Sequence, residues 1–139
     1  MFRGLIKGMI FTKEQIEEAH SKVKSGADFP RYMQDIIALG VTRYEVYVID
    51  GHTDYHGVDG YTVAVPAKYD SLIIADNAKE EEFKAELKAH QQGKTDYQTF
   101  ITMCASCGIE KWKICMEQMT CTYYDKAGHE ILAEEIPGV

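Results

Sequence analysis

Gly40-Val41-Thr42-Arg43-Tyr44-Glu45-Val46-Tyr47-Val48-Ile49-Asp50-Gly51-His52-Thr53-Asp54-Tyr55 is the stretch on which the fold turns. A glycine closes a helical pattern here, because it takes the left-handed conformation that a Cβ opposes. The hydrophobic period then drops to two, with Tyr44, Val46 and Val48 alternating with Arg43, Glu45 and Tyr47, the signature of a half-buried strand. Asp50-Gly51 reads as a two-residue hairpin turn in which both residues hold positive φ. Around such a turn Val48 faces Thr53 and Val46 faces Tyr55, so that Tyr44, Val46, Val48 and Tyr55 share one buried face.

The same order recurs downstream. Laying Asp28–Val63 over Asp96–Ile131, an offset of 68 positions (96 − 28), matches Phe29 with Tyr97, Tyr32 with Phe100, Gly40 with Gly108, Tyr44 with Trp112, Val46 with Ile114, Tyr55 with Tyr123 and Gly60 with Gly128. The match lies in residue class and spacing, and it points to a tandem duplication. Each unit reads as two helices followed by three short strands. Thr12 with Gln15, and Asn77 with Glu80, have the spacing of capping boxes for the first helix of each unit. Those helices carry Ile16, Ala19, His20 and Val23 up to Gly26, and Phe83, Leu87 and His90 up to Gly93. Asp28 and Asp96 stand as N-caps of the second helices. Asp59-Gly60 and Ala127-Gly128 turn the chain into the third strands. The expected fold is α+β, a single domain over residues 1–139 with unit A at about 10–70 and unit B at about 74–136, its antiparallel sheet covered by helices on one face. Pattern alone leaves open whether the two units share one sheet.

The chain has 139 residues, 45% hydrophobic and 27% charged, enough for one domain with a core. Its formal charge of -7 repels nucleic-acid phosphates and anionic lipid headgroups, so neither is expected as a partner. Apolar runs stay far below the roughly 20 residues that span a bilayer. Met1 to Phe11 is interrupted by Lys7 and Gly8 and does not read as a signal peptide, which favours a cytoplasmic location; the residues ahead of Met9 read as a dispensable extension.

Cys104-x-x-Cys107 falls in the last turn of a helix, where the dipole disfavours a thiolate. A zinc site would need Cys104, Cys107, Cys115 and Cys121 together. With a turn at Gln118-Met119, Cys121 pairs with Met116 on the buried face while Cys115 points the other way, so the four sulfurs are split across the sheet. The cysteines are therefore expected as core packing, and no cofactor is expected.

His52, Asp54 and His56 alternate along one strand face, with the composition of a facial metal triad. Residues two apart on a strand are about 7 Å apart, too spread to close on one ion without a bulge. His20 and His90 lie on or beside the apolar face of the first helices, and would approach each other if those helices met about a pseudo-twofold axis. With Tyr55 and Tyr123, whose rings have polar tips, they form the candidate ligand-binding set. No phosphate-binding loop, dinucleotide fingerprint or nucleophile elbow occurs in the chain.

The runs Phe11-Thr12-Lys13-Glu14-Gln15-Ile16 to Ser25-Gly26-Ala27-Asp28-Phe29, Ala89-His90-Gln91-Gln92-Gly93-Lys94-Thr95-Asp96-Tyr97 and Met119-Thr120-Cys121-Thr122-Tyr123-Tyr124-Asp125-Lys126-Ala127-Gly128 resemble the YbcV-like family of small bacterial proteins. Those proteins are of unknown function and are often labelled phage-envelope-like. The resemblance implies a bacterial or prophage-linked cytoplasmic α+β domain and carries no catalytic residues across. The reading that follows is a non-enzymatic binding module, a homodimer, holding a small molecule or protein partner between its units. A small metal-dependent or acid–base enzyme using His52, Asp54 and His56 is the rival, and a phage structural accessory the third possibility.

Overall fold

A computed structural model describes residues 11–23 and 28–136. Within them the chain forms α1 (Lys13–Ser21), α2 (Phe29–Leu39), β1 (Arg43–Tyr47), β2 (Thr53–His56), β3 (Thr62–Val65), α3 (Glu80–Gln91), α4 (Tyr97–Ser106), β4 (Lys111–Cys115), β5 (Thr120–Tyr124) and β6 (Glu130–Glu135), with a short 3-10 turn at Val58–Gly60. The fold is α+β, and all six strands join one antiparallel sheet in the order β3-β2-β1-β4-β5-β6.

Local chemistry explains most of the helix ends. Thr12 closes a true capping box: the Gln15 N–H donates to Thr12 Oγ1 at 3.1 Å, and the Thr12 N–H donates to Gln15 Oε1 at 2.9 Å. Asp96 caps α4 by accepting from the Thr99 N–H at 2.8 Å. Asp28 holds the N-cap position of α2 without that side-chain bond, and Pro30 follows in the first turn. Gly40 (φ 108°) and Gly108 (φ 82°) take the left-handed conformation that ends α2 and α4. The bonds behind them match: the Val41 N–H donates to the Ile36 carbonyl at 3.0 Å, and the Ile109 N–H to the Cys104 carbonyl at 2.9 Å.

Two helix expectations are corrected. α1 ends at Ser21, before Val23 and before Gly26, which lies outside the described residues together with Met9 and the lead ahead of it. α3 starts from Lys79 with no side-chain cap, so Asn77 and Glu80 make no capping box. The backbone takes over there, because the Lys79 N–H donates to the Cys107 carbonyl at 2.9 Å and ties the start of α3 to the end of α4.

The hairpin register is also corrected. Tyr44 stands opposite Tyr55 and Val46 opposite Thr53, and in the second hairpin Ile114 stands opposite Cys121, each two positions from the expected pairing. The first turn spans Val48 to Gly51, with the Tyr47 N–H donating to the His52 carbonyl at 3.0 Å. Of Asp50 and Gly51 only Gly51 has a positive φ, 79°. Partners outside the hairpin hold this wider turn open. The Lys68 N–H reaches the Asp50 carbonyl at 2.8 Å, the Leu72 N–H the Ile49 carbonyl at 2.7 Å, and the Tyr69 hydroxyl the Val48 carbonyl at 2.7 Å. A shift of two leaves every side chain on its expected face. Tyr44, Val46, Val48 and Tyr55 are all buried.

That buried face meets the helices through rings: the Tyr32 and Tyr55 hydroxyls are 2.7 Å apart, Phe100 lies 5.9 Å from Trp112, and Phe83 lies 4.9 Å from Tyr123. Residues 66–79 link β3 to α3 as a packed strap. It crosses the β1–β2 turn at Tyr69, buries Ile74 and reaches the end of α4. Among the described residues, no helix is long and apolar enough to cross a membrane.

Candidate functional site

A cleft of about 320 Å³ opens between α1, the β2–β3 side of the sheet and the strap. Its floor is Ile16 from α1, Tyr55 from β2 and Val65 from β3, all buried. Its rim carries Glu17, His20 and Ser21 from α1 and Lys68 from the strap, all exposed. The helix supplies both layers because Ile16 points into the core while Glu17, His20 and Ser21 follow on the adjoining face. An apolar floor with a few polar groups at its edge is the usual make-up of a small-molecule site, and the volume falls at the small end of such sites.

The electrostatics of the cleft are asymmetric. The Tyr55 hydroxyl is engaged with Tyr32, and burial pushes the Tyr55 phenol up to about 12 against the pull of that bond, so it stays protonated at neutral pH. His20 packs edge-on against Tyr32 at 5.4 Å. Although His20 is exposed at the rim, the cleft wall strips part of its ring's hydration, and this first and the charge of Lys68 second hold its imidazole below the usual histidine range. Lys68 is accessible at the rim, yet the cleft wall strips part of its hydration and lowers its ammonium, an effect that Glu17 offsets.

The candidate residues do not converge. His20 and Tyr55 share the cleft, whose lining comes from the first half of the chain and not from a seam between the halves. His90 stacks on Phe100 at 4.3 Å and sets its Nδ1 3.0 Å from Thr95 Oγ1. Tyr123 is buried between Phe83 and Trp112. No hydrogen bond or ring contact joins His20 to His90 among the described residues. Each packs on the aromatic residue of its own second helix, His20 on Tyr32 and His90 on Phe100.

His52, Asp54 and His56 lie along the other face of the sheet, and the two imidazoles turn to different carboxylates. His52 Nδ1 is 2.5 Å from Asp50, with its ring stacked on Tyr47 at 4.3 Å. His56 Nε2 is 2.7 Å from Glu45, and its Nδ1 is 3.1 Å from Thr62 Oγ1. Among the described residues, no group of three or more His, Cys, Asp or Glu could hold a metal ion. Cys104, Cys107 and Cys121 are buried, while Cys115 is half-buried on the opposite face. Burial pushes the Cys104 thiol far up and the Cys121 thiol to about 12.

Lys68, Glu17 and Ser21 also line the cleft and were missed in the sequence, and Tyr32 stands behind it, bonded to Tyr55. The signal for Lys68 was the strap's composition: Tyr69, Leu72 and Ile74 follow Pro66 in a segment that a loose tether would fill with small polar residues.

The family model described as "Protein of unknown function (DUF1398)" matches residues 17–135. No curated protein matches the chain.

Proposed function

The chain belongs to the DUF1398 family, and we propose that it is a non-enzymatic binding module that takes a small ligand into the cleft between α1, the β2–β3 side of the sheet and the strap. The observation that carries this reading is the layering of the cleft, a buried floor of Ile16, Tyr55 and Val65 beneath an exposed rim of Glu17, His20, Ser21 and Lys68.

The YbcV-like resemblance, with its bacterial or prophage setting, and the tandem duplication belong to the same proposal. Support for the duplication comes from a strand order that reads alike from either edge and from matched bonds 68 positions apart, such as Val41 to Ile36 and Ile109 to Cys104.

Amide chemical shifts of the labelled protein, followed while a set of small amphipathic molecules is titrated in, test the reading. Changes should gather at Ile16, His20, Tyr55, Val65 and Lys68. Changes gathered elsewhere would count against the cleft. Turnover of a substrate panel that is lost in His52→Ala or His90→Ala would replace the binding module with an enzyme.

A further inference from the structure

The charges at the cleft narrow what it can hold. Its floor is apolar except for the Tyr55 hydroxyl, which Tyr32 already engages at 2.7 Å, so an apolar body fits there and an ion does not. Among the described residues that line it, Lys68 on the strap is the one fixed cation and Glu17 on α1 the one fixed anion. His20 stands one turn beyond Glu17 on the same helix.

Resting on the cleft as the binding site, we infer that its ligand is a small monocarboxylate with an apolar body, that the carboxylate lies against Lys68, and that binding brings a proton onto His20. A second negative charge would meet Glu17, which is why one carboxylate fits better than two. The proton follows from linkage. In the free protein partial desolvation and then the Lys68 charge both disfavour the protonated imidazole of His20. A bound carboxylate neutralises Lys68 and adds an anion beside the imidazole, so the second cause is reversed. Among the described residues, the groups facing His20 are Lys68 from the strap, Glu17 from its own helix, Tyr32 from α2 and Tyr55 from β2. Burial keeps both phenols protonated through the neutral range, leaving Lys68 and Glu17 as the charges that matter. His20 then binds its proton more tightly in the complex than in the free protein. Affinity rises as pH falls through the histidine range, by up to about tenfold for each unit by which the imidazole is raised.

Phenylacetate, phenylethanol and phenethylamine share one ring and differ in charge, which makes them suitable probes. Each is titrated into the intact protein, with amide shifts locating the site and calorimetry in buffers of different ionisation enthalpy counting protons. The acid should bind in the cleft at least about fivefold more tightly than the alcohol or the amine. Lys68→Met should level acid and alcohol, whereas Lys68→Arg should keep the preference. Between about pH 8 and about pH 6 the acid should gain affinity and take up protons, and His20→Gln should flatten both trends. If the alcohol or amine binds in the cleft as well as the acid, or Lys68→Met changes nothing, the ligand class is wrong while the cleft remains a binding site. A pH trend that survives in His20→Gln removes the proton step. Failure of all three probes to shift cleft amides at millimolar concentration overturns the inference and the binding-site reading together.

Discussion

Glu45 stands directly across from Lys113 where β1 pairs with β4, and the two are 68 positions apart (113 − 45), the same spacing that lays one half of the chain over the other. The neighbouring pairs follow from it: Arg43 faces Cys115 and Tyr47 faces Lys111, so each residue meets the counterpart of one on the far side of Glu45. Backbone bonds across the seam are reciprocal. The Val48 N–H donates to the Glu110 carbonyl and the Met116 N–H to the Thr42 carbonyl, both at 3.0 Å. The strap at residues 66–79 lies outside these matched pairs, so the roles of its residues are set by its own contacts.

Gly108 should tolerate no side chain. Its φ of 82° is strained for any L residue, and a Cβ built there would lie 2.7 Å from the Asn77 carbonyl oxygen, a backbone atom of the strap that is itself held through the Lys79–Cys107 bond. Gly128 has a similar φ of 87° with nothing within 4 Å of its added Cβ. Gly108→Ala should cost about 3 kcal/mol or more, against about 1 kcal/mol for Gly128→Ala, which carries the backbone strain alone. Urea unfolding of the two variants reads the difference directly, and equal losses would mean that the strap yields freely at Asn77.

The Tyr32–Tyr55 hydroxyl pair should show up in mutants and in alkali. Tyr55→Phe strands a buried hydroxyl on Tyr32 and should cost about 1–3 kcal/mol, while adding Tyr32→Phe should cost less than the sum of the two singles. Burial holds the folded Tyr55 phenol at about 12, above its ordinary 10.0, so the unfolded chain loses that proton first as pH rises. Stability is thus complete below about pH 10 and falls between about 10 and 12, with Tyr55 contributing on the order of 2 kcal/mol to the loss. Tyrosinate absorbance should rise together with loss of structure. A Tyr55 ionisation that precedes unfolding would refute the argument.

Much of this fold was legible in the sequence, and the failures share a cause. Strand faces, helix-ending glycines and the Thr12 and Asp96 caps were readable because they depend on residues a few positions apart. The hairpin register was misplaced by two at both turns: at the first, the carbonyls of Val48, Ile49 and Asp50 find partners in residues 68–72, and at the second the Met119 carbonyl accepts from the Ile136 N–H, partners that no local turn rule includes. Asn77 lost its capping role for the same reason, since α4 supplies the first bond of α3. The union of the two hairpins at Glu45 and Lys113 is a long-range pairing with no local mark. Of the candidate site, His20 and Tyr55 were found by residue type, whereas Lys68 reaches them through a strap whose path is set by packing.

Thiol chemistry should separate the two faces of the sheet. Reaction requires the thiolate, and burial holds Cys121 near 12 and Cys104 higher still. Cys107 is also pushed up, by burial and then by the Glu82 carboxylate. Cys115 alone of the four is half-buried and not buried. A thiol reagent should therefore label Cys115 in the native protein, and the other three only on unfolding. Rapid native labelling of Cys104 would mean that α4 opens far more readily than its packing implies.

Cutting the chain in the strap should test whether the seam is specific. Ile73 is 91% exposed, so fragments 1–72 and 73–139 separate there with little loss of buried surface. Each fragment would bare the edge of β1 or β4, and at about 70 residues each would be marginal alone. The mirrored register lets a fragment pair with its own kind, but that places Glu45 opposite Glu45 or Lys113 opposite Lys113, and like charges directly opposite are unfavourable. The mixed pair puts opposite charges together. Equimolar fragments should then recover native circular dichroism and amide shifts that neither fragment shows alone. Lys113→Glu should weaken the recovery, and Glu45→Lys in the other fragment should restore it. Stable homodimers of either fragment, or a recovery blind to the charge swap, would show that backbone pairing and the apolar face hold the seam without help from its central charges.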